Sequence, residues 1–186
     1  MIKAVLWDIG GVLLADPKIG EFWGDAKGSK ELRHKFGSGK ISKEEFIEKA
    51  SAMLNIKKSE FLNKYAKAYF PINKLDAVVE IYNKNKCKKY LFSDTNPLHL
   101  DFIKKRHPEI FKNADGVFLS SELGLRKQDE ETYLQIIKKL ELNPDEILLI
   151  DDKQSILNLA ARHGLQGFLY TEPKALNKML KCNDLI

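Results

Sequence analysis

Cysteine is almost missing from this chain. Cys87 and Cys182 are the only two among 186 residues, and their separation suits neither a disulfide framework nor a metal-ligand spacing. A fold stapled by disulfides is thereby excluded, and a reducing, cytoplasmic setting is the expectation. Long apolar runs are missing as well. Nothing approaches the ~20 residues of a membrane span, and the first residues read as a strand rather than a signal peptide, so no membrane partner is expected. Histidine is sparse: His34, His99, His107 and His163 share no metal-ligand spacing and read as structural or exposed. Internal repeats and low-complexity stretches are lacking. So is a strong charge of one sign, since 31 Lys and Arg face 26 Asp and Glu for a net charge of +5. The lysines scatter over expected helix surfaces and loops, densest from Lys84 to Lys89, with no aromatic interleaving. No nucleic-acid partner is therefore expected.

What is present is a globular composition, 44% hydrophobic and 31% charged, long enough for one core domain with a small insertion. From residue 75 onward helical and strand patterns alternate. Asn73 is placed to cap a helix whose apolar face is Leu75, Val78, Val79 and Tyr82. Residues 88–93 read as a strand, and Asn96-Pro97 as a helix start with proline at the first helical position. Residues 116–120 form another strand, and Asp129 is placed to cap a helix faced by Tyr133, Ile136, Ile137 and Leu140. Residues 146–151 make the most apolar strand. A helix over 154–163 ends at Gly164, then a strand over 166–170 and a helix over 173–180 follow. Apolar strands separated by amphipathic helices predict an α/β fold, a Rossmann-like parallel sheet flanked by helices.

Residues 15–72 differ, showing helical patterns and no convincing strand. Ser42-Lys43-Glu44-Glu45 is a capping box ahead of Phe46, Ala50, Met53 and Leu54. Ser59 is placed to cap a helix carrying Phe61, Leu62, Tyr65 and Tyr69. The expected division is a core of 1–14 and 73–186, with a small α-helical cap over 15–72 inserted after the first strand. Trp23, Phe36, Tyr65 and Tyr69 read first as cap core and second as cavity lining. The turn over 36–40 is the cap loop expected to face the site.

Parallel sheets bind ligands beyond the C-terminal ends of their strands, at a topological switch point. Those ends here carry Asp8, Ser93-Asp94, Ser120-Ser121 and Asp151-Asp152. Asp8 is the most informative, because a carboxylate buried without partners is costly and points to a nucleophile or metal ligand. Asp151-Asp152, adjacent like charges after an apolar strand, call for a counter-ion. Other residues have plainer readings when taken singly. Asp152 could serve as a helix cap, Ser93 could bond local backbone, and Lys127 alone would be a surface lysine.

In order and strand context, over nearly the whole chain, these motifs resemble the four of the haloacid dehalogenase-like superfamily. Its Asp-x-Asp-x-(Thr/Val) motif stands here as Asp8-Ile9-Gly10-Gly11-Val12. Its second, a Ser or Thr ending a strand, matches Ser93. Its third, a lysine, matches Lys127 in Gly124-Leu125-Arg126-Lys127, and its acidic pair matches Asp151-Asp152. Within the superfamily the pattern is most similar to small-capped phosphatases of the glucose-1-phosphatase-like branch. The resemblance implies a Mg²⁺-dependent phosphatase for a small phosphorylated metabolite, with sugar phosphates as one class. It makes Asp8 the nucleophile that forms an aspartyl phosphate, and Ser93 and Lys127 catalytic. It gives the phosphate to Ser93, Asp94 and Lys127, and Mg²⁺ to Asp8, the Gly10 backbone carbonyl, Asp151 and Asp152. Oxygen ligands suit Mg²⁺, and a bound cation offsets the dianion's charge.

Three positions depart from that pattern. Gly10 stands where the family has a second Asp that handles protons, so slow turnover is expected, least so for a good leaving group such as an anomeric phosphate. Gln128 replaces a proline, which is expected to loosen the turn after Lys127. Ile156 replaces an Asn that would orient the acidic pair. Two other functions therefore stay open: a binding or regulatory protein on the same fold, and another reaction on the same nucleophile. Asp151-Asp152 speak against a dehalogenase, and Gly10 against a phosphosugar mutase.

Overall fold

A computed structural model describes residues 1–15, 20–69 and 73–186 of the chain. Five strands, β1 (Ala4–Trp7), β2 (Lys88–Ser93), β3 (Gly116–Leu119), β4 (Ile147–Asp151) and β5 (Gln166–Leu169), form one parallel sheet in the order β3-β2-β1-β4-β5. The helices are α1 (Gly20–Trp23), α2 (Ser29–Gly37), α3 (Lys43–Met53), α4 (Lys58–Tyr69), α5 (Asp76–Lys84), α6 (Pro97–Arg106), α7 (Pro108–Lys112), α8 (Ser120–Leu123), α9 (Glu130–Leu140), α10 (Gln154–Arg162) and α11 (Pro173–Cys182).

Strand side chains alternate between two covered faces. Val5, Trp7, Leu91, Leu148 and Ile150 pack with Val78, Val79 and Tyr82 of α5, Leu100 and Ile103 of α6, and Leu176 and Leu180 of α11. Leu6, Phe92, Phe118 and Leu149 pack on the other face with Tyr133 and Ile136 of α9 and Leu157 and Ala160 of α10. Burial on both faces explains why β1 and β4 read as unbroken apolar runs.

Helices α1 to α4 build a third core of Trp23, Leu32, Phe36, Phe46, Ala50, Phe61, Tyr65 and Tyr69, joined by Leu98 of α6. Phe36 stacks on Phe46 and Tyr65 on Tyr69, each pair with centroids 4.0 Å apart. The expected insertion over 15–72 includes residues 16–19 and 70–72, which lie outside the described residues. On either side of it the chain runs beside itself: Ala15 N donates to the Asn73 carbonyl at 2.9 Å, and Leu75 N to the Leu13 carbonyl at 3.0 Å.

That pairing corrects the cap expected at Asn73. Its carbonyl serves the crossing, and α5 starts at Asp76 after Leu75, with no side-chain cap. Ser59 is likewise no cap, since α4 already begins at Lys58. Ser42 does cap α3, accepting from Glu45 N at 3.1 Å, and Asn96 caps α6 through His99 N. Asp129 precedes α9, but its carboxylate accepts from Arg126 N instead of capping the helix. β3 stops at Leu119, one residue short of the expected strand, and Ser120 opens α8 with its hydroxyl bonded to the Gly37 carbonyl.

Candidate active site

The site grows from the parallel register at the sheet centre. Trp7 pairs with Ile150, and Asp8 N donates to the Ile150 carbonyl at 3.0 Å, so Asp8 and Asp151 leave β1 and β4 side by side. The strand order reverses here, with β2 and β3 on one side of β1 and β4 and β5 on the other, which opens a crevice. Lys127, from the segment between α8 and α9, enters it. Its Nζ lies 2.8 Å from Asp8 Oδ1, 2.7 Å from Asp151 Oδ2 and 4.9 Å from the centre of the Phe92 ring. Asp8 is 5% exposed, Lys127 3% and Asp151 0%.

Burial and charge compete at this cluster. Burial drives the Asp8 carboxyl above its ordinary range, Lys127 pulls it back, and Asp151 adds to the rise. Burial works to lower the Lys127 ammonium, but Asp8 and Asp151 together outweigh it and hold it above its ordinary value. Lys127 is therefore a fixed positive charge at neutral pH, and Asp8 depends on positive neighbours to stay ionised.

The loop that delivers Lys127 is fully tied. Asp94 Oδ1 accepts from Lys127 N at 2.9 Å, and Asp94 Oδ2 from Arg126 Nε at 3.1 Å. Asp129 accepts from Arg126 N at 2.8 Å, Thr132 Oγ1 donates to the Arg126 carbonyl at 2.7 Å, and Tyr133 OH to the Lys127 carbonyl at 2.7 Å. The turn expected to be loose at Gln128 is thus held without proline. Gln128 itself reaches His34 of α2 at 3.2 Å. The Asp94 carboxylate orients this loop, which leaves the Asp94 backbone for the expected phosphate. Near Ile156, which offers no hydrogen bond, the Asp151 carboxylate is oriented from the backbone, its Oδ1 accepting from Lys153 N at 2.9 Å.

Asp152 completes an acidic group. Carboxylate oxygens of Asp8, Asp151 and Asp152 lie within 4.8 Å of one another. Asp152 Oδ1 is buried without a hydrogen-bond partner, although Lys153 Nζ stands 3.5 Å away as an ion pair. At that length the ammonium screens the oxygen without satisfying it. Gly11 makes room for this side chain. It sits at φ +81°, and a Cβ there would overlap the Asp152 carboxylate. Three crowded carboxylates, one buried ammonium and an unsatisfied oxygen fit a hard divalent cation such as Mg²⁺.

Two connected cavities meet at the site. A chamber of about 100 Å³ is lined by Asp8, Gly10, Ser93, Asp94, Lys127, Asp151, Lys153 and Ile156. A wider cavity of about 340 Å³ shares Gly10, Ser93, Asp94 and Lys153 and extends under α2 to α4, past Arg33, Phe36, Phe46, Tyr65 and Tyr69. Phe36, Tyr65 and Tyr69 therefore serve as both core and lining, whereas Trp23 is core. Gly37 of the 36–40 turn also lines the wider cavity. Ser93, Asp8, Lys127, Asp151 and Asp152 are brought together as the sequence implied.

A family model for the haloacid dehalogenase-like hydrolases matches residues 2–164. The chain belongs to this family. Across 90% of its length it is 26% identical to a D-ribitol-5-phosphate phosphatase of Bacteroides thetaiotaomicron, covering 91% of that protein. It is 22% identical to a sesquiterpene phosphatase of Aspergillus oryzae, over 93% of this chain and 92% of the relative. Its fold superposes with a TM-score of 0.76 on a family enzyme of Bacteroides thetaiotaomicron solved with magnesium and inorganic phosphate, at 20% identity, covering 92% of this chain and 95% of that one. Among the described residues no helix is long and apolar enough to cross a membrane.

Sequence reasoning missed the ties between the sheet and α2 to α4. Ser120, 2% exposed, donates from Oγ to the Gly37 carbonyl at 2.6 Å, with the Thr95 carbonyl as an alternative acceptor at 3.1 Å, and accepts from Thr95 N at 3.0 Å. Tyr65 OH donates to Asn96 Oδ1 at 3.2 Å. Gly39, at φ +66°, lies so near the Ser121 carbonyl that a Cβ would overlap it. His99, read as structural, lines the wider cavity. Only the strand-end position of Ser120-Ser121 and the glycine at 39 hinted at this seam.

Proposed function

We propose that this hydrolase is a Mg²⁺-dependent phosphatase for a small phosphorylated metabolite, working through an aspartyl phosphate on Asp8. The observation that carries this reading is the buried Asp8–Lys127–Asp151 network beside the unsatisfied oxygen of Asp152. Asp8, Asp151, Asp152 and the Gly10 carbonyl would hold Mg²⁺, which supplies positive charge that favours an ionised Asp8 and offsets the phosphate dianion. Lys127 adds a second, protein-borne positive charge at the same point. Ser93 binds a phosphate oxygen, and Asp94 acts through the Lys127 loop.

Asp8 attacks phosphorus as the bond from phosphorus to the alcohol oxygen breaks, its electron pair leaving with the alcohol. That oxygen takes its proton from a water molecule admitted to the site, because Gly10 carries no acid. Water then attacks the same phosphorus, releasing inorganic phosphate and the free carboxylate. Residues 15–72 act as a cap that excludes bulk water and contacts the alcohol part. The missing acid costs about 10²–10⁴-fold in rate, felt most by poor leaving groups.

The test is phosphate release with Mg²⁺ from an aryl phosphate and a panel of sugar, polyol and alkyl phosphates. Turnover is expected, with Asp8→Asn lowering kcat by about 10³-fold or more. Gly10 favours one other reading, a phosphate-binding regulatory protein. Metal-dependent phosphate binding in calorimetry, with no turnover across the panel, would select that reading instead.

A further inference from the structure

Lys153 occupies a position that its own helix argues against. It is the N-cap of α10, at φ −113° and ψ 111°, with no side-chain cap and no acidic residue in the first turn. That position favours a short side chain with an accepting oxygen. A lysine cannot accept, and its charge opposes the positive end of the helix. The helix gives no reason for this residue, whereas the acidic group beside it does.

The Lys153 backbone is pinned to the site, since its N–H donates to Asp151 Oδ1 at 2.9 Å. Its side chain is 56% exposed and carries the ammonium to 3.5 Å from Asp152 Oδ1. That oxygen is buried without a hydrogen bond and belongs to the set of three carboxylates that fits a divalent cation. The same ammonium favours the ionised form of Asp8. Lys127 is the opposite case, with a buried side chain fixed against two carboxylates. Lys153 is therefore the movable positive charge of the site, and it lines both the chamber and the wider cavity.

An ammonium and a metal ion compete for the Asp152 oxygen, and a hard divalent ion is the better partner for it. Once that oxygen is taken, the ammonium is repelled by the charge that took it. The reaction brings a phosphate dianion to the wall that the two cavities share, within the span of a flexible four-carbon stem. We propose that Lys153 is an exchanging cation, which balances Asp152 until Mg²⁺ takes that oxygen and then turns to bind the phosphate group of the ester. The proposal rests on the phosphatase reading for the phosphate and adds the residue that couples it to the metal.

Calorimetric titration of Mg²⁺ into protein stripped of metal and dialysed, with and without excess inorganic phosphate, tests it. Without phosphate, Lys153→Met should bind Mg²⁺ about threefold more tightly than wild type, because a competitor for Asp152 is gone. With phosphate the variant should lose that advantage, since the wild-type lysine has already left Asp152. The factor by which phosphate tightens Mg²⁺ binding should thus fall at least about threefold in Lys153→Met and recover in Lys153→Arg. An ammonium that stays in one place acts on metal and phosphate independently and leaves that factor intact. An unchanged factor therefore overturns the proposal, as does weaker Mg²⁺ binding by Lys153→Met without phosphate. A reduced factor alongside a wild-type protein that releases no phosphate from any ester overturns the phosphatase reading alone. Phosphate that leaves wild-type Mg²⁺ binding unaltered overturns both.

Discussion

The small chamber and the wider cavity share Gly10, Ser93, Asp94 and Lys153 in their walls, yet they are held by different forces. Strand register and a buried ion network set the chamber, where Lys127 is fixed between Asp8 and Asp151 and its loop is tied at four backbone groups. Aromatic packing sets the cavity, through the Phe36–Phe46 and Tyr65–Tyr69 stacks. A few hydrogen bonds, from Ser120 to Gly37 and from Tyr65 to Asn96, join that packing to the sheet. Chemistry that must recur unchanged sits on the rigid ladder. Under the proposed function, recognition of the alcohol falls to the cavity, where side chains can be exchanged without moving the nucleophile.

The largest effect that would sharpen this contrast is expected at Lys127. Lys127→Ala leaves two buried carboxylates without their ammonium and should cost about 3–5 kcal/mol in urea unfolding without metal. Added Mg²⁺ should recover part of that loss; a variant as stable as wild type would break the account of the chamber. Next is Gly10→Asp. Gly10 is not among the glycines with positive φ, so a side chain there meets no backbone-conformation penalty. The variant should raise kcat on alkyl phosphates by about 10²-fold, the low end of acid–base catalysis. An unchanged kcat would show that another group already handles the proton.

The cavity side is probed by pH. The folded His99 pKa of about 4 lies below its ordinary value of 6.5, so the unfolded chain binds a proton first as pH falls. Its contribution is complete above pH 6.5 and is lost as pH drops toward 4, which makes the protein less stable in acid. His99→Phe should remove about 2–3 kcal/mol of that acid-side decline, read from urea midpoints at pH 7 and pH 4. The smallest effect is expected at Asp129, whose carboxylate accepts from Arg126 N. Asp129→Ala should cost about 1 kcal/mol and lower kcat more than it raises KM, because it loosens the loop that carries Lys127.

How much was legible follows the same boundary. Asp8, Ser93, Asp151 and Asp152 could be found because strands of four to six residues end in polar side chains, and a parallel sheet gathers such ends at one edge. Lys127 was legible by resemblance alone, since nothing local marks a loop lysine as buried. Local capping signals failed where tertiary bonds claimed the same atoms, at Asn73 in the crossing and at Asp129 in the lysine loop. The support that the Asp94 side chain gives this loop was not legible either, because Arg126 and Lys127 stand 32 and 33 residues away in the chain. Gln128 was read as a weakness only because the four ties around it join residues that sequence does not show to be neighbours.

The sequence by itself determined the parallel α/β fold, the edge at which chemistry gathers and the identity of the nucleophile candidate, with a glycine in place of a second acid. Hydrophobic periodicity and strand-end polarity are local properties, and they survive in one dimension. Only the tertiary structure decided which carboxylates share Lys127, which acid supports the lysine loop, and which side chains line the wider cavity. Those outcomes depend on competition among donors and acceptors far apart in the chain, and the competition is settled only when packing brings them within about 3 Å.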